Sequence, residues 1–391
     1  MSTRRERSMV PTPALIALIA AAIALAAGCS DPELETASTA GADAGAQGAE
    51  DALFGVDGAA DAGSGDDGAA AAPSDAAAST DTAQPVDVAP DSQAPELLGA
   101  PYPIVLAHGF FGTDSFAGLS FATYFYGVKA DLEKAGEKWV LTPAVEPFQN
   151  SKVRGEQLWT KIDAFLAETG HAKVVIIGHS QGGLDARYVA ATHPDKVAAV
   201  LTFATPHKGS IVADASLGLV NWPGVKQLVD ALMSLAGVQV WHSMTGESSL
   251  SAAIEQLTTQ KMDAFNAAYP NQPGIAYYSL TGRSALALAE KECKPDLLVD
   301  FLIPYEKVVD PLDPMLWATR EVIDGGLFSA VPHDGLVRVE DARWGTFLGC
   351  VPADHLDEIG QLFGDWPGGL NSFDHKKLYR DLVGFLRAQG F

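Results

Sequence analysis

From about residue 97 onward, short apolar runs alternate with longer stretches in which apolar residues recur every three or four positions. Pro103-Ile104-Val105-Leu106-Ala107 is apolar throughout and stops at His108-Gly109, which predicts a strand buried on both faces. From Ser151 to Glu168 the residues Val153, Leu158, Ile162, Phe165 and Leu166 keep helical spacing, with Ser151 read as the N-cap and Gly170 past the end. Strand follows at Lys173-Val174-Val175-Ile176-Ile177, then a helix from about Gly182 to Thr192 and a strand from Val197 to Phe203. Tyr277-Tyr278-Ser279-Leu280 predicts one more strand, and Ser372 to Gln389 a closing amphipathic helix. Strands without a polar face need covering on both sides, so the alternation predicts an α/β domain, a mostly parallel central sheet with helices on both faces.

The first ninety-odd residues follow a different pattern. Residues 1–29 combine a basic start (Arg4, Arg5, Arg7), an apolar run from about Ala14 to Ala27, and Gly28-Cys29. A run of that length is short for a stable membrane span and reads as an export signal. Leu25-Ala26-Ala27-Gly28-Cys29 resembles a lipobox, with Ala26 where leucine is usual, so Cys29 is expected to be lipidated and the protein held at the cell surface or outer membrane; a plain cleaved signal with an incidental cysteine, and a secreted protein, is the other reading. Residues 30–96 are mostly Ala, Gly, Asp, Ser, Thr and Pro, with Phe54 the sole aromatic and no Lys or Arg. Such a segment buries too little apolar surface to offset its ordering entropy and is expected to be a disordered tether. The expected organisation is therefore signal 1–29, linker 30–96 and one catalytic-size domain 97–391.

Charge adds little about chemistry. The net charge is −23, but 15 acidic residues sit in the 30–96 linker, so the balance describes the tether. No basic stripe is visible, which argues against a nucleic-acid partner. Of the three cysteines, Cys29 belongs to the leader, and Cys293 and Cys350 remain as a pair. In the oxidising compartment that export implies, a disulfide between them is the expected state.

The chemistry centres on Gly178-His179-Ser180-Gln181-Gly182, placed between a predicted strand and a predicted helix. Gly-x-Ser-x-Gly alone is a weak signal, but a nucleophile elbow needs strand, tight turn and helix in that order, and all three are here. A serine hydroxyl attacks only when a base removes its proton, so a histidine oriented by a carboxylate is required downstream. His193 and His207 follow the elbow too soon, His242 lies in the long segment 211–257, and His333 abuts Asp334. His375 lies in a helical stretch and reads as a surface residue, which leaves His355 in Pro352-Ala353-Asp354-His355. Asp334 opens Asp334-Gly335 at an expected strand end; Asp-Gly is also an ordinary turn dipeptide, and the residues alone leave both readings open. An acyl-transfer oxyanion needs two backbone N–H donors, for which Gln181 and Phe110, the latter in His108-Gly109-Phe110-Phe111-Gly112, hold the required positions.

With these residues assembled, the chain from about Pro103 to Leu386 resembles the secreted bacterial triacylglycerol lipases of family I, whose folding commonly depends on a foldase. The blocks that carry the resemblance are Leu106-Ala107-His108-Gly109, the elbow, Ala204 to Ser210, Phe265-Asn266-Ala267-Ala268-Tyr269-Pro270, and His355-Leu356-Asp357-Glu358. The resemblance implies an α/β-hydrolase fold with a helical lid, and Asp334 and His355 as partners of Ser180. It also implies a structural calcium ion held by Asp310, Asp357 and carbonyl oxygens of Gln361 and Asp365; hard oxygen ligands suit that ion. By position the lid is about 211–257, where Val225, Leu228, Val229, Leu232 and Leu235 share one helical face; a helix packed permanently on the core is the other reading. The cysteines depart from the placing expected for the family's disulfide, and the tether is unusual for an enzyme released outside the cell. Three functions are thus in view: hydrolysis of long-chain acylglycerols at a lipid–water interface, hydrolysis of short-chain esters or polyesters, and a non-catalytic surface-binding lipoprotein.

Overall fold

The structure, a computed structural model, describes residues 97–391 apart from 111, 113–123, 220–248, 285–292, 306–307, 309, 314–315, 325–330 and 362–372. The expected signal, Cys29, the tether and the lid face from Val225 to Leu235 lie outside the described residues.

Six strands form one sheet: β1 (Ile104–Ala107), β2 (Val140–Leu141), β3 (Val174–His179), β4 (Val197–Phe203), β5 (Ala276–Gly282) and β6 (Thr346–Val351). Their spatial order is β2-β1-β3-β4-β5-β6, and every neighbouring pair is parallel. The helices between them are α1 (Val128–Lys134), α2 (Ser151–Thr169), α3 (Gln181–Thr192), α4 (Ile211–Ser216), α5 (Leu250–Gln256), α6 (Thr259–Ala268), α7 (Trp317–Asp324) and α8 (His375–Ala388). None of the described helices is long and apolar enough to cross a membrane.

The twofold alternation of a strand sends successive side chains to opposite faces, and the sequence fills both with hydrocarbon. Val105, Ile176 and Val200 point to one face, where they pack with Leu158, Ile162, Phe165 and Leu166 of α2 and Ala186 and Val189 of α3. Ile104, Leu106, Val175 and Ile177 point to the other, against Val128 and Leu132 of α1 and Leu378, Leu382 and Leu386 of α8. Each of the buried Val, Leu, Ile and Phe side chains among them contributes about 1.5–3 kcal/mol relative to exposure. That two-sided burial is why the strands read as continuous apolar runs.

Local capping differs from expectation at α2. Asn150, not Ser151, is the N-cap, its side chain accepting from the Lys152 and Val153 amides at 3.1 Å. Asparagine before the helix satisfies two otherwise orphaned donors, so the helix begins at Ser151 itself. The far end is as predicted: Gly170 is left-handed at φ 72°, and its N–H returns to the Leu166 carbonyl. His375 also differs. It starts α8 buried, 8% exposed, with its Nε2 donating to the Tyr126 carbonyl at 2.8 Å, because α8 turns this residue inward toward the loop before α1. Cys293 and Cys350 are joined as expected, Cα atoms 5.9 Å apart, tying the segment after β5 to β6.

Candidate active site

Parallel register brings the strand ends into line: Ala107 pairs with Gly178, and His179 with Phe203. The residues that follow β1, β3 and β4 therefore gather at the carboxyl edge of the sheet, where open parallel sheets place their chemistry. Ser180 sits there between β3 and α3 with φ 54° and ψ −131°, a region that L-residues avoid at a cost of about 1–3 kcal/mol. Two backbone bonds hold the turn: the Ser180 N–H donates to the Phe203 carbonyl at 2.8 Å and the Gly183 N–H to the Ser180 carbonyl at 3.1 Å. The flanking glycines are steric necessities. A Cβ on Gly182 would stand 2.1 Å from the Ala107 carbonyl oxygen, and one on Gly178 would stand 2.5 Å from the Gly182 carbonyl oxygen.

The loop after β1 closes over this turn. A Cβ on Gly109 would meet the Ser180 Cβ at 2.6 Å, so the peptide that carries the Phe110 N–H lies directly against the nucleophile position. The Gln181 N–H opens α3, where the positive end of the helix dipole adds to its pull on an anion. Phe110 is further fixed by an edge-on contact with Phe148, ring centroids 5.2 Å apart.

His355 and Asp334 meet as the sequence reading expects. The Asp334 Oδ2 accepts from His355 Nδ1 at 2.8 Å, and its Oδ1 accepts from the Leu336 and Val337 amides at 2.8 and 2.7 Å. The backbone is tied as well, His355 N–H donating to the Asp334 carbonyl at 2.8 Å. Asp334 is fully buried. The expected strand end is absent: Asp334 lies in a turn next to an isolated bridge between His333 and Arg338. The turn reading of Asp334-Gly335 is met, and that turn is what folds the two amides onto the carboxylate.

The ring of His355 stands 4.7 Å, centroid to centroid, from that of His179, the residue before Ser180, which brings the imidazole to the elbow. The side chain of His179 itself was not anticipated. Its Nδ1 lies 2.8 Å from the Tyr124 hydroxyl and its Nε2 2.7 Å from Glu358 Oε2, while Glu358 Oε1 accepts from the Gly282 amide at 2.6 Å. All these groups are buried. Burial pushes the Glu358 carboxyl well above its usual range and the His179 imidazole well below. Glu358 Oε2 is 3.9 Å from His355 Nδ1, beyond hydrogen-bond reach, so Asp334 and not Glu358 orients that imidazole.

The implied metal residues are partly brought together. Carboxylate oxygens of Asp310, Asp354 and Asp357 converge within 4.8 Å of one another, all buried. Asp354 was not expected there. Its Oδ1 accepts from the Leu356 and Asp357 amides and its Oδ2 from the Asp313 amide, which clamps the loop after His355 to the Asp310 loop. Burial and then Asp313 raise its carboxyl to about 6. Gln361 directs its side-chain amide to the Tyr124 carbonyl at 2.5 Å, and Asp365 lies outside the described residues. Three crowded buried carboxylates are a hard-oxygen donor set whose mutual repulsion a divalent cation would relieve, so these residues fit calcium.

A family model described as alpha/beta hydrolase fold matches residues 102–234. The chain is 33% identical over 347 residues to a triacylglycerol lipase of Burkholderia plantarii, covering 81% of this chain and 93% of that protein. It is 32% identical to a triacylglycerol lipase of Vibrio cholerae, over 74% of this chain and 88% of that one. Among solved structures, the mature Bacillus licheniformis lipase BlEst2 aligns at TM-score 0.47 and 19% identity, covering 74% of this chain and 96% of that chain. The elbow, the buried carboxylate–imidazole pair and the identity to these two lipases over most of the chain lead to one conclusion: the chain belongs to the triacylglycerol lipases of the α/β-hydrolase fold.

Proposed function

We propose that the protein hydrolyses carboxylic esters, with long-chain triacylglycerols its main substrates, through an acyl-enzyme on Ser180. The observation that carries this reading is the 2.8 Å bond from His355 Nδ1 to a buried Asp334, beside a serine held in a strained turn. With Nδ1 donating to Asp334, Nε2 of His355 is the basic nitrogen, the tautomer that takes the Ser180 proton as the hydroxyl attacks the ester carbonyl. The proton then passes to the departing alkoxide, and water repeats the cycle to release the fatty acid. Charge developing on the carbonyl oxygen is met by the Gln181 and Phe110 amides.

Asp310, Asp354 and Asp357 would hold calcium. Bound there, the ion supplies positive charge that pins the loop carrying His355. The Cys293–Cys350 bond supports export, and Cys29 is proposed as the point of lipid attachment, with the linker as tether.

Nitrophenyl esters of graded acyl length and a trioleoylglycerol emulsion test the substrate assignment. Highest activity is expected on long chains and emulsion, and Ser180→Ala is expected to lower kcat by about 10⁶-fold. Preference for short chains without activation by emulsion would assign a carboxylesterase or polyester depolymerase instead. For the metal, excess chelator is expected to lower the melting temperature, and an unchanged melt would remove calcium from the account.

A further inference from the structure

Arg154 on α2 is fully buried and spends its fork on three separate parts of the site. Its Nε donates to Asp185 Oδ2 at 2.8 Å, its Nη1 to the Glu146 carbonyl at 2.6 Å, and its Nη2 to the His108 carbonyl at 2.6 Å and the Gly109 carbonyl at 3.3 Å. The Gly109 carbonyl belongs to the same planar peptide unit as the Phe110 N–H. In a trans peptide the two point in opposite directions, so whatever grips the oxygen also aims the hydrogen. Asp185 lies on α3, the helix opened by the Gln181 N–H. One guanidinium therefore connects the two elements that bear the oxyanion donors.

We propose that Arg154 is a positioning residue of the oxyanion site, holding the Gly109–Phe110 peptide in register with the amino end of α3 and polarising its N–H through the carbonyl. This rests on the acyl-transfer reading above. A positive charge on the carbonyl side of an amide draws electron density from its N–H and strengthens it as a donor, and the effect is largest in a dry interior. Stability alone does not explain the arrangement. Burial raises the Asp185 carboxyl to about 6 despite its cationic partner, and buried ion pairs are often replaced by packed hydrocarbon without loss. Lysine would keep the charge but not the fork, since an ammonium on a single stem cannot hold three carbonyls and a carboxylate in fixed directions.

Two variants separate positioning from folding. Arg154→Lys removes the fork; Arg154→Met combined with Asp185→Leu removes the buried pair together, so that no lone charge remains and the chain folds. Each is assayed for kcat and KM on a soluble short-chain nitrophenyl ester. Each is also titrated with an alkylboronic acid, whose tetrahedral serine adduct places an oxygen between the two amides. In both variants kcat is expected to fall about 10–100-fold, with KM within about threefold and boronate affinity reduced by the same factor as kcat. A folded variant with kcat and boronate affinity within about threefold of the parent, or with its loss confined to KM, overturns the proposal. If the parent itself neither cleaves the ester nor binds the boronate, the acyl-transfer reading is what has failed.

Discussion

The two halves of the site are built from different materials. The nucleophile side, from β1 through the elbow to α3, is held by close backbone packing and one buried guanidinium: a Cβ on Gly182 or Gly109 would overlap its neighbours, and β1 beneath is wholly buried hydrocarbon. The acid and imidazole side, residues 331–361, has little regular structure around Asp334 and His355 and is held by polar bonds and a covalent link. Asp334 gathers two amides and the imidazole, Asp354 gathers three amides, and the disulfide anchors the strand that leads into His355. A strained serine needs a rigid mount because its φ is unfavourable by itself, whereas an imidazole set by loops depends on each tie being intact. The difference predicts that the two halves fail under different insults.

The larger effect is expected on the acid side. Cys293→Ser with Cys350→Ser opens a loop of 57 residues, and chain entropy alone assigns such a closure up to about 4 kcal/mol. The pair of substitutions is expected to lower the melting temperature and to release the His355 loop to limited proteolysis before the elbow segment. Equal loss of protection in both halves would erase the distinction drawn here.

A smaller, graded effect is expected where the core is packed around neutral imidazoles. Burial, with Arg154 nearby, lowers His108 to about 3, and burial lowers His179 and His207 well below 6.5. The unfolded chain takes up protons on these residues below about pH 6.5 and the folded chain does not, so their contribution to stability is complete above that pH and erodes as pH falls. His108 is expected to cost about 1.4 kcal/mol for each pH unit between 6.5 and 5. Denaturant titrations from pH 7 to 5 check this. His108→Asn is expected to flatten the slope, and an unaltered slope would show that this imidazole is not the group responsible.

The same contrast explains what could be read from the residues. The nucleophile side was legible because its signals are local: an apolar run, two glycines around a serine, and a helix, all within about twenty positions. Val197–Phe203 appears as a strand over the residues that its largely apolar run predicts. The ties of the other half join residues far apart in sequence, and no periodicity announces them. His179 and Glu358 are 179 positions apart, and Asp313 and Asp354 are 41 apart. Each stands in a block that was noticed for other reasons. His375 was misplaced because a charged neighbourhood, Asp374-His375-Lys376-Lys377, reads as surface while the ring turns inward. Asp354 was passed over for the metal because the resemblance pointed past it to Gln361 and Asp365, and only the folded loop shows its carboxylate among those of Asp310 and Asp357.

The central claim is that Ser180 is a nucleophile made reactive by His355. A fluorophosphonate probe followed by peptide mass spectrometry tests it most directly. The account predicts one modified residue, Ser180, and labelling slowed by about 10⁴-fold or more in a folded His355→Ala variant. Modification at a different residue, or none on a folded sample, would contradict it.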